Sequence, residues 1–268
     1  MSHFFLRSFA IICCLFLAAC VGSATTPKNA TVLTDLGDFT VLSIATQPET
    51  GLVQPSLRYK NREISPAVDP MRTLEAGQKM QNFPLPGCQS VTVEMFTGGA
   101  NCCFGEYILT TCPDGSYAAF IEPRDGGLGD PQKALRAYPI DDPAFMYYEP
   151  ENQKGRNKLA LNRVESPRVS RFLVFERGVW RTDKPGEFPA AYASLLAEVQ
   201  KDKQTNKTAR AISMAYYTLM AGEKDAAAVR TLNRALPKSY ASLARTILAD
   251  IKTAIAAFDP VRNLVVAK

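Results

Sequence analysis

The sequence predicts an α+β fold in which an antiparallel β domain, residues 31–184, is followed by a helical bundle, residues 187–260. Between residues 89 and 120, runs rich in β-branched and aromatic residues alternate with turn residues, a pattern typical of a β-meander. After residue 186 the apolar residues recur every three to four residues and no longer every second residue, which is the period of an amphipathic helix. The composition, 46% hydrophobic and 21% charged, is that of a globular protein with a sizeable core.

Residues 1–19 have the pattern of an export signal. Arg7 precedes an almost wholly apolar run, and small residues stand directly before Cys20. This pattern resembles a bacterial lipoprotein signal peptide with its lipobox. The resemblance implies export, cleavage before Cys20, and lipidation and N-acylation of that cysteine, with residues 20–30 as a lipidated, flexible tether. A plain secretory signal with a chance cysteine is the alternative.

The same resemblance implies a location and a first partner. Val21 stands where an aspartate often marks inner-membrane retention in enterobacterial lipoproteins, so a lipid anchor in the outer membrane is favoured over one in the inner membrane. The net charge of +5 is a weak excess, and the sequence contains no long basic run. We therefore expect contact with a membrane through the lipid, and no nucleic-acid partner.

Several strands are expected on either side of the meander. Residues 31–46 are rich in β-branched residues, and residues 57–64 indicate a charged hairpin at a sheet edge. Residues 125–131 contain three glycines and predict a loop. We expect another strand over residues 159–164 and a hairpin with a two-residue turn over residues 171–181.

The C-terminal part is expected to contain four helices. Their predicted ranges are residues 188–201, 206–221, 223–236 and 239–258, and either Asn206 or Thr205 can cap the second. Residues 211–237 faintly resemble a tetratricopeptide unit, but with one visible copy a plain helical hairpin is the other interpretation. Helices of this length either form a separable bundle or depend on packing against the sheet.

Four cysteines follow the tether, and in an exported protein an even number favours disulfides. If a turn at residues 98–101 closes a hairpin, residues whose numbers sum to about 200 face each other, so Cys88 meets Cys112. Cys102 and Cys103 would then lie about 30 Å from Cys112, beyond the ~7 Å limit on the Cα separation of a disulfide. The prediction for these two is a vicinal disulfide, with two free thiols as the alternative.

The sequence argues against most catalytic and metal sites. The single histidine, His3, lies in the segment predicted to be removed, which would leave no histidine for Ser-His-Asp or Cys-His catalysis or for a metal. We therefore expect no cofactor and no metal. Four carboxylates of the meander could meet on one face, although a solvated strand face is the other interpretation. They are Glu94, Glu106, Asp114 and Glu122.

Two further features each have a functional and a structural interpretation. Residues 126–130 lack the lysine and hydroxyl of a phosphate-binding loop and the alternating acidic residues of a calcium loop, which favours a plain surface loop. The aromatic residues within 145–148, together with Trp180, could line a groove for a glycan or a peptide. Such clusters are also typical of a hydrophobic core.

Three segments are similar to a group of uncharacterised exported bacterial proteins. They are residues 96–104, which read Phe-Thr-Gly-Gly-Ala-Asn-Cys-Cys-Phe, residues 141–148, and residues 166–169. That group carries a Gly-Gly-Ala-His-Cys-Cys signature in β-rich domains similar to propeller-type repeats, so the resemblance implies a propeller-like β domain. This chain has Asn101 in place of the histidine and lacks acidic calcium loops. The group implies no activity.

These observations favour a non-catalytic lipoprotein of the cell envelope that binds another envelope component, a protein or a glycan. A histidine-independent hydrolase that acts on a cell-wall or glycan substrate is the first alternative. Several carboxylates converging in a deep cleft would favour the hydrolase, and a shallow apolar surface on the helices would favour binding. A redox sensor that uses Cys102 and Cys103 is the second alternative.

Overall fold

The computed structural model describes residues 26–267, apart from residues 48, 100–101, 152, 154–157 and 204. The predicted signal segment and Cys20 therefore lie outside the described residues. The strands are β1 Ala30–Leu36, β2 Phe39–Gln47, β3 Leu52–Tyr59, β4 Arg62–Glu63, β5 Thr73–Ala76, β6 Met80–Gln81, β7 Gln89–Gly99, β8 Cys102–Cys112, β9 Gly115–Arg124, β10 Ala137–Asp142, β11 Val169–Glu176, β12 Val179–Thr182 and β13 Val261–Ala267. The α-helices are α1 Pro189–Lys201, α2 Lys207–Met220, α3 Asp225–Ala235 and α4 Ala244–Ala257, and two 3₁₀ helices cover Pro143–Phe145 and Lys238–Leu243.

The described strands form three antiparallel sheets. The first sheet contains β1, β2, β3 and β4 in chain order, and the third contains β10, β11 and β12. The central sheet has the order β13-β9-β8-β7-β5, with β6 also paired to β7. The predicted α+β class, with antiparallel sheets and helices towards the C-terminus, is confirmed.

The sheets and the helices stack as four layers. One face of the central sheet packs on the first sheet, and its other face, which includes Ile108 and Ile121, packs on the third sheet. Because side chains alternate along a strand, Leu173 of β11 lies in this second core while Phe172 and Val174 point the other way. Those two residues share a single core with the helices.

The β7–β8 hairpin has the predicted register. Phe96 lies opposite Phe104, and the same pairing continues to the open end of the hairpin. There a disulfide joins Cys88 and Cys112, with 4.1 Å between their Cα atoms. Cys103 is also bonded in a disulfide, but the side chain of Cys102 lies outside the described residues. The vicinal pairing therefore stays a prediction.

Two other predicted hairpins are present, each with a two-residue turn. Lys60 and Asn61 have φ values of 48° and 63°, and Arg177 and Gly178 have 53° and 85°. Positive φ at both central residues is the geometry of a type I′ turn, which matches the twist of the strands. A Cβ atom at Gly178 would lie 2.6 Å from Cε1 of Tyr117, so the second turn also requires glycine for space.

The helices begin and end close to the predicted positions, with one exception. The side chain of Asn206 caps α2 by accepting hydrogen bonds from the amides of Thr208 and Ala209. The fourth helix begins at Ala244 and not near Ser239, because Lys238–Leu243 forms a 3₁₀ helix first.

One expected strand is absent, and one observed strand was not expected. Residues 159–164 form no strand: Leu159 and Leu161 are buried in the helical core by an irregular segment that ends in a turn. The strand β13 was not expected at all. It follows the helices and pairs with β9, so the chain returns to the central sheet after leaving it.

Candidate functional site

A small cleft of about 160 Å³ lies where three loops meet. It is lined by parts of residues 125–126, which follow β9, of residues 141–146 at the end of β10, and of residues 163–169, which precede β11. Two of these segments belong to the set that resembles the exported bacterial proteins, and the third begins the glycine-rich loop. The fold therefore brings together segments that are far apart in the sequence.

The inner wall of the cleft is formed by Asp142. The strand β10 ends there because Pro143 begins a 3₁₀ helix, and Asp142 Oδ1 accepts a hydrogen bond from the Ala144 amide at 2.9 Å. Its other oxygen, Oδ2, accepts from the hydroxyl of Tyr216 on α2 at 2.7 Å. Burial raises the pKa of Asp142, and these hydrogen bonds oppose that shift. Both carboxylate oxygens are thus engaged within the protein.

The outer wall carries charges of both signs. Arg163 Nη2 lies 2.9 Å from Asp125 Oδ1 in a partly exposed ion pair. Asp141 Oδ1 accepts from Ser170 Oγ at 3.1 Å, and Arg168 is exposed. Apolar atoms of Met146 and of neighbouring proline and valine residues complete the lining. The surface thus offers both charges and apolar area to a ligand.

A short turn holds the rim of the cleft. Asn162 accepts hydrogen bonds from the amides of Val164 and Glu165, and Ser166 Oγ donates to the Asn162 carbonyl at 2.8 Å. The Ser166 hydroxyl also accepts from the Tyr147 amide at 2.9 Å. The side chains of Tyr147 and Val164 are 64% and 91% exposed. Two large apolar side chains therefore stand in solvent beside the cleft.

The glycine-rich loop packs against carboxylates on both of its sides. A Cβ atom at Gly126 would lie 2.6 Å from Asp141 Oδ2, and one at Gly127 would lie 2.8 Å from Glu106 Oε1. Larger residues would therefore push the loop away from the sheet. The prediction of a loop is correct, but this loop is more than a surface connection, because it separates the cleft from a buried carboxylate.

That carboxylate, Glu106, lies opposite Glu94 in the β7–β8 ladder. Its Oε1 accepts from the Leu128 amide at 2.7 Å, and its Oε2 has no hydrogen-bond partner among the described residues. Burial raises the pKa of Glu106 to about 7, while the Leu128 amide and Arg124 oppose the shift. Burial also raises the pKa of Glu94, and the charge of Glu75 adds to it.

Arg124 is a buried cation whose charge acts on Glu106. Its side chain is buried, and its Nε and Nη2 atoms have no hydrogen-bond partner within the described part of the chain. Burial lowers the pKa of Arg124, and the charges of Glu106 and Asp141 oppose that shift. No pattern in the sequence indicated Arg124 or Arg163, because both are brought into place by contacts between distant segments.

The remaining residues of the predicted sets lie elsewhere. Asp114 lies in the β8–β9 turn and Glu122 is exposed, so only two of the four meander carboxylates meet. Phe145 belongs to the core shared with the helices, whereas Trp180 belongs to the core between the central and third sheets. These two aromatic side chains therefore do not line a common groove.

In the part of the chain that the structure describes, no histidine, cysteine, aspartate and glutamate side chains are grouped in threes as a metal site requires. None of the described helices has both the length and the apolar character needed to cross a bilayer. Comparisons of the chain with protein families, with curated proteins and with solved structures found no match.

Each carboxylate of the cleft makes at least one contact within the protein. A general acid or base needs a carboxyl oxygen that can reach the substrate. Both oxygens of Asp142 make internal contacts, to Tyr216 and the Ala144 amide, whereas Asp125 and Asp141 each have one oxygen in such a contact, to Arg163 and to Ser170. Such contacts hold the walls of the cleft in place and leave charged edges for recognition.

Proposed function

We propose that the protein is a non-catalytic lipoprotein of the cell envelope, anchored through lipidated Cys20, that binds another envelope component in this cleft. The observation that carries the proposal is the internal pairing of the cleft's carboxylates, which suits a rigid recognition surface. The tether of residues 20–30 would give the folded part some reach above the membrane. An outer-membrane location is favoured over an inner-membrane one, on the evidence of Val21 alone.

The partner we propose is an extended segment of an envelope protein or a glycan, and not a nucleic acid. A cleft of about 160 Å³ accepts a side chain or a sugar substituent and not a whole folded surface. Tyr147 at the rim offers an aromatic face, which suits both apolar side chains and sugar rings. The charges of Asp141 and Arg168 select ligands that carry both a hydrogen-bond donor, for the Asp141 carboxylate, and a hydrogen-bond acceptor, for the Arg168 guanidinium.

Site-specific photo-crosslinking in native membranes tests this proposal. A photoreactive residue at position 164, at the rim, is expected to form an adduct with one envelope component. The same residue at position 32 is the control, because Val32 is 49% exposed but lies on the first sheet, on the far side of the central sheet. Equal adducts from both positions, or none from position 164, would contradict the assignment of the cleft.

One observation favours the hydrolase alternative. Glu94 and Glu106 lie opposite each other, and a carboxyl group whose pKa is about 7 suits a general acid. Against this, Glu106 is only 2% exposed and is covered by the glycine-rich loop. Incubation with purified cell-wall glycan separates the two functions: release of reducing ends that is lost in E106Q would support the hydrolase.

We also propose that the β domain is propeller-like and that the helices form a bundle. The first sheet is a four-stranded meander in chain order, which is the arrangement of one propeller blade and supports the propeller-like prediction. Contacts of α2 with α1, α3 and α4 support the predicted bundle.

A further inference from the structure

Helix α2 carries two adjacent tyrosines, Tyr216 and Tyr217, whose hydroxyl groups contact the residues that form the cleft. Both side chains are buried, with exposures of 0% and 3%. We propose that they are positioning residues, which hold the neighbouring aspartates Asp141 and Asp142 in the geometry that the cleft needs for recognition. The inference rests on the proposed function, since it adds the helices to the same binding site.

Tyr216 acts directly on the inner wall. Its hydroxyl donates to Asp142 Oδ2 at 2.7 Å, while Asp142 Oδ1 accepts from the Ala144 amide. Asp142 is only 3% exposed, so a carboxylate oxygen that lost its partner there would be desolvated without compensation. The carboxylate would then turn towards the open side of the cleft or take up a proton. Tyr216 thus determines which groups the inner wall presents.

Tyr217 acts on the outer wall through one intermediate residue. Its hydroxyl oxygen accepts from the Ser170 amide at 3.0 Å, and the Ser170 hydroxyl donates to Asp141 Oδ1 at 3.1 Å. Ser170 lies opposite Asp141 in the β10–β11 ladder, so the tyrosine holds the strand residue that contacts the aspartate. The two tyrosines therefore reach the two consecutive aspartates by different routes.

The rings of both tyrosines are held by packing. Phe145, which follows Asp142 in the 3₁₀ helix, meets Tyr216 edge to face with 6.1 Å between the ring centroids. Tyr217 packs against Tyr216 at 5.8 Å and against Tyr192 of α1 at 5.9 Å. Most residues of α2 are buried, so the helix has a fixed place in the core. A site supported by a rigid helix keeps its geometry more precisely than one held by loops alone.

The contacts make the cleft dependent on a helix that does not line it. The lining residues come from loops, strand ends and the 3₁₀ helix, and none of the described α-helices contributes one. A shift of α2 would nevertheless reach Asp142 over a single hydrogen bond and Asp141 over two. Recognition by the β domain thus depends on the helices through two particular side chains, and not only through the stability of the whole fold.

NMR of the full chain tests the direct contact without a ligand. Y216F removes only the hydroxyl, and a hydrogen bond that lowers the pKa of Asp142 is then lost. The side-chain carboxyl resonance of Asp142 should therefore titrate at higher pH than in the wild type. Y192F is the matched control, because it removes a similarly buried bond outside the cleft, from Tyr192 to Asp183 Oδ2 at 2.6 Å. In Y192F the Asp142 resonance should be unchanged.

Photo-crosslinking connects this contact to recognition. With the photoreactive residue at position 164, Y216F should form about tenfold less adduct than the wild type, the factor for one lost hydrogen bond to a charged group. Y192F costs the fold a similar bond and should keep the wild-type yield. Equal yields in Y216F and the wild type, or equal losses in Y216F and Y192F, would overturn the proposal.

A second variant keeps the test decisive if Y216F fails to fold. Y217F removes the acceptor of the Ser170 amide, so the resonance of that amide should move, its proton should exchange faster, and the adduct should fall as in Y216F. An unchanged Ser170 amide in Y217F, or an unchanged Asp142 titration in Y216F, would contradict the positioning role. Failure of the cleft assignment is detected separately: in that case position 164 captures nothing even in the wild type, while the resonances still respond to the two substitutions.

Discussion

Arg171 and Asp183 form a fully buried ion pair, with 2.9 Å between Arg171 Nε and Asp183 Oδ1 and side-chain exposures of 2% and 0%. Asp183 Oδ2 also accepts a hydrogen bond from Tyr192 of α1 at 2.6 Å, and Arg171 Nη1 donates to the Ile255 carbonyl of α4 at 3.2 Å. The pair therefore ties the third sheet to two helices at once.

The first prediction concerns this pair. D183A should lower the free energy of unfolding by about 3 to 5 kcal/mol, because it leaves the Arg171 charge buried without its partner. Urea denaturation followed by circular dichroism measures the loss. D38A is the control: Asp38 pairs with Lys60 on the surface, where both side chains are about half exposed, so its loss of stability should be much smaller. Similar losses in the two variants would contradict the role of burial.

The second prediction concerns the disulfide between Cys88 and Cys112, which are separated by 24 residues in the sequence. Closing a loop of that length lowers the entropy of the unfolded chain, so C88A/C112A should lose about 3 kcal/mol of stability. Urea denaturation under oxidising conditions gives the value. The wild type in strong reductant serves as the comparison and should be at least as unstable as the variant, because reductant also breaks the disulfide of Cys103. If oxidised wild type and variant unfold at the same urea concentration, the bond does not stabilise the fold.

The third prediction concerns Asn263 of β13. Its side chain accepts from the Trp180 amide and donates to the Trp180 carbonyl, each at 2.9 Å, and so joins the central sheet to the edge of β12. N263A should cost about 2 kcal/mol, because two backbone groups lose their partners. N29A removes one exposed hydrogen bond, to the Ala45 carbonyl, and should cost much less. Thermal unfolding of the two variants compares them, and equal melting temperatures would show that the bridge is dispensable.

The fourth prediction concerns the lipid anchor that we propose at Cys20, which lies outside the described residues. C20S should move the protein from the membrane fraction to the soluble fraction, because the acyl chains supply the membrane affinity. Fractionation of cells with an antibody against the protein measures the change. C103S is a suitable control, since Cys103 lies within β8, and should leave the distribution unaltered. Retention of C20S in the membrane fraction would mean that another feature anchors the chain.

Local signals predicted much of the fold. The register of β7 and β8 followed from one turn position, and the hairpin at Arg177 followed from its two-residue turn. Where the outcome depends on distant contacts, the sequence was less informative. Leu159 and Leu161 alternate like a strand, yet they pack into the helical core as an irregular segment. The partner of β13 is β9, which lies far back in the sequence, and no local pattern encodes that pairing.

The candidate site, too, was predicted only where local sequence determines it. A resemblance singled out residues 141–148 and 166–169. It did not predict that parts of these segments and of their neighbours line one cleft. In the sequence, nothing distinguished Glu106 from the other three carboxylates of the meander. Its special environment results from the loop at Gly127, which folds over it from the end of the next strand. Burial of this kind depends on tertiary packing and has no signature in the spacing of residues.

The position of β13 determines the order in which the molecule can be completed during synthesis. Ribosomes make proteins from the N-terminus, so β9 emerges long before the strand that pairs with its outer edge. Throughout that interval the backbone amides and carbonyls on the outer edge of β9 lack their ladder partners, and an unpaired edge invites pairing with other chains. A newly made molecule is thus vulnerable to aggregation until Val261–Ala267 has paired with β9.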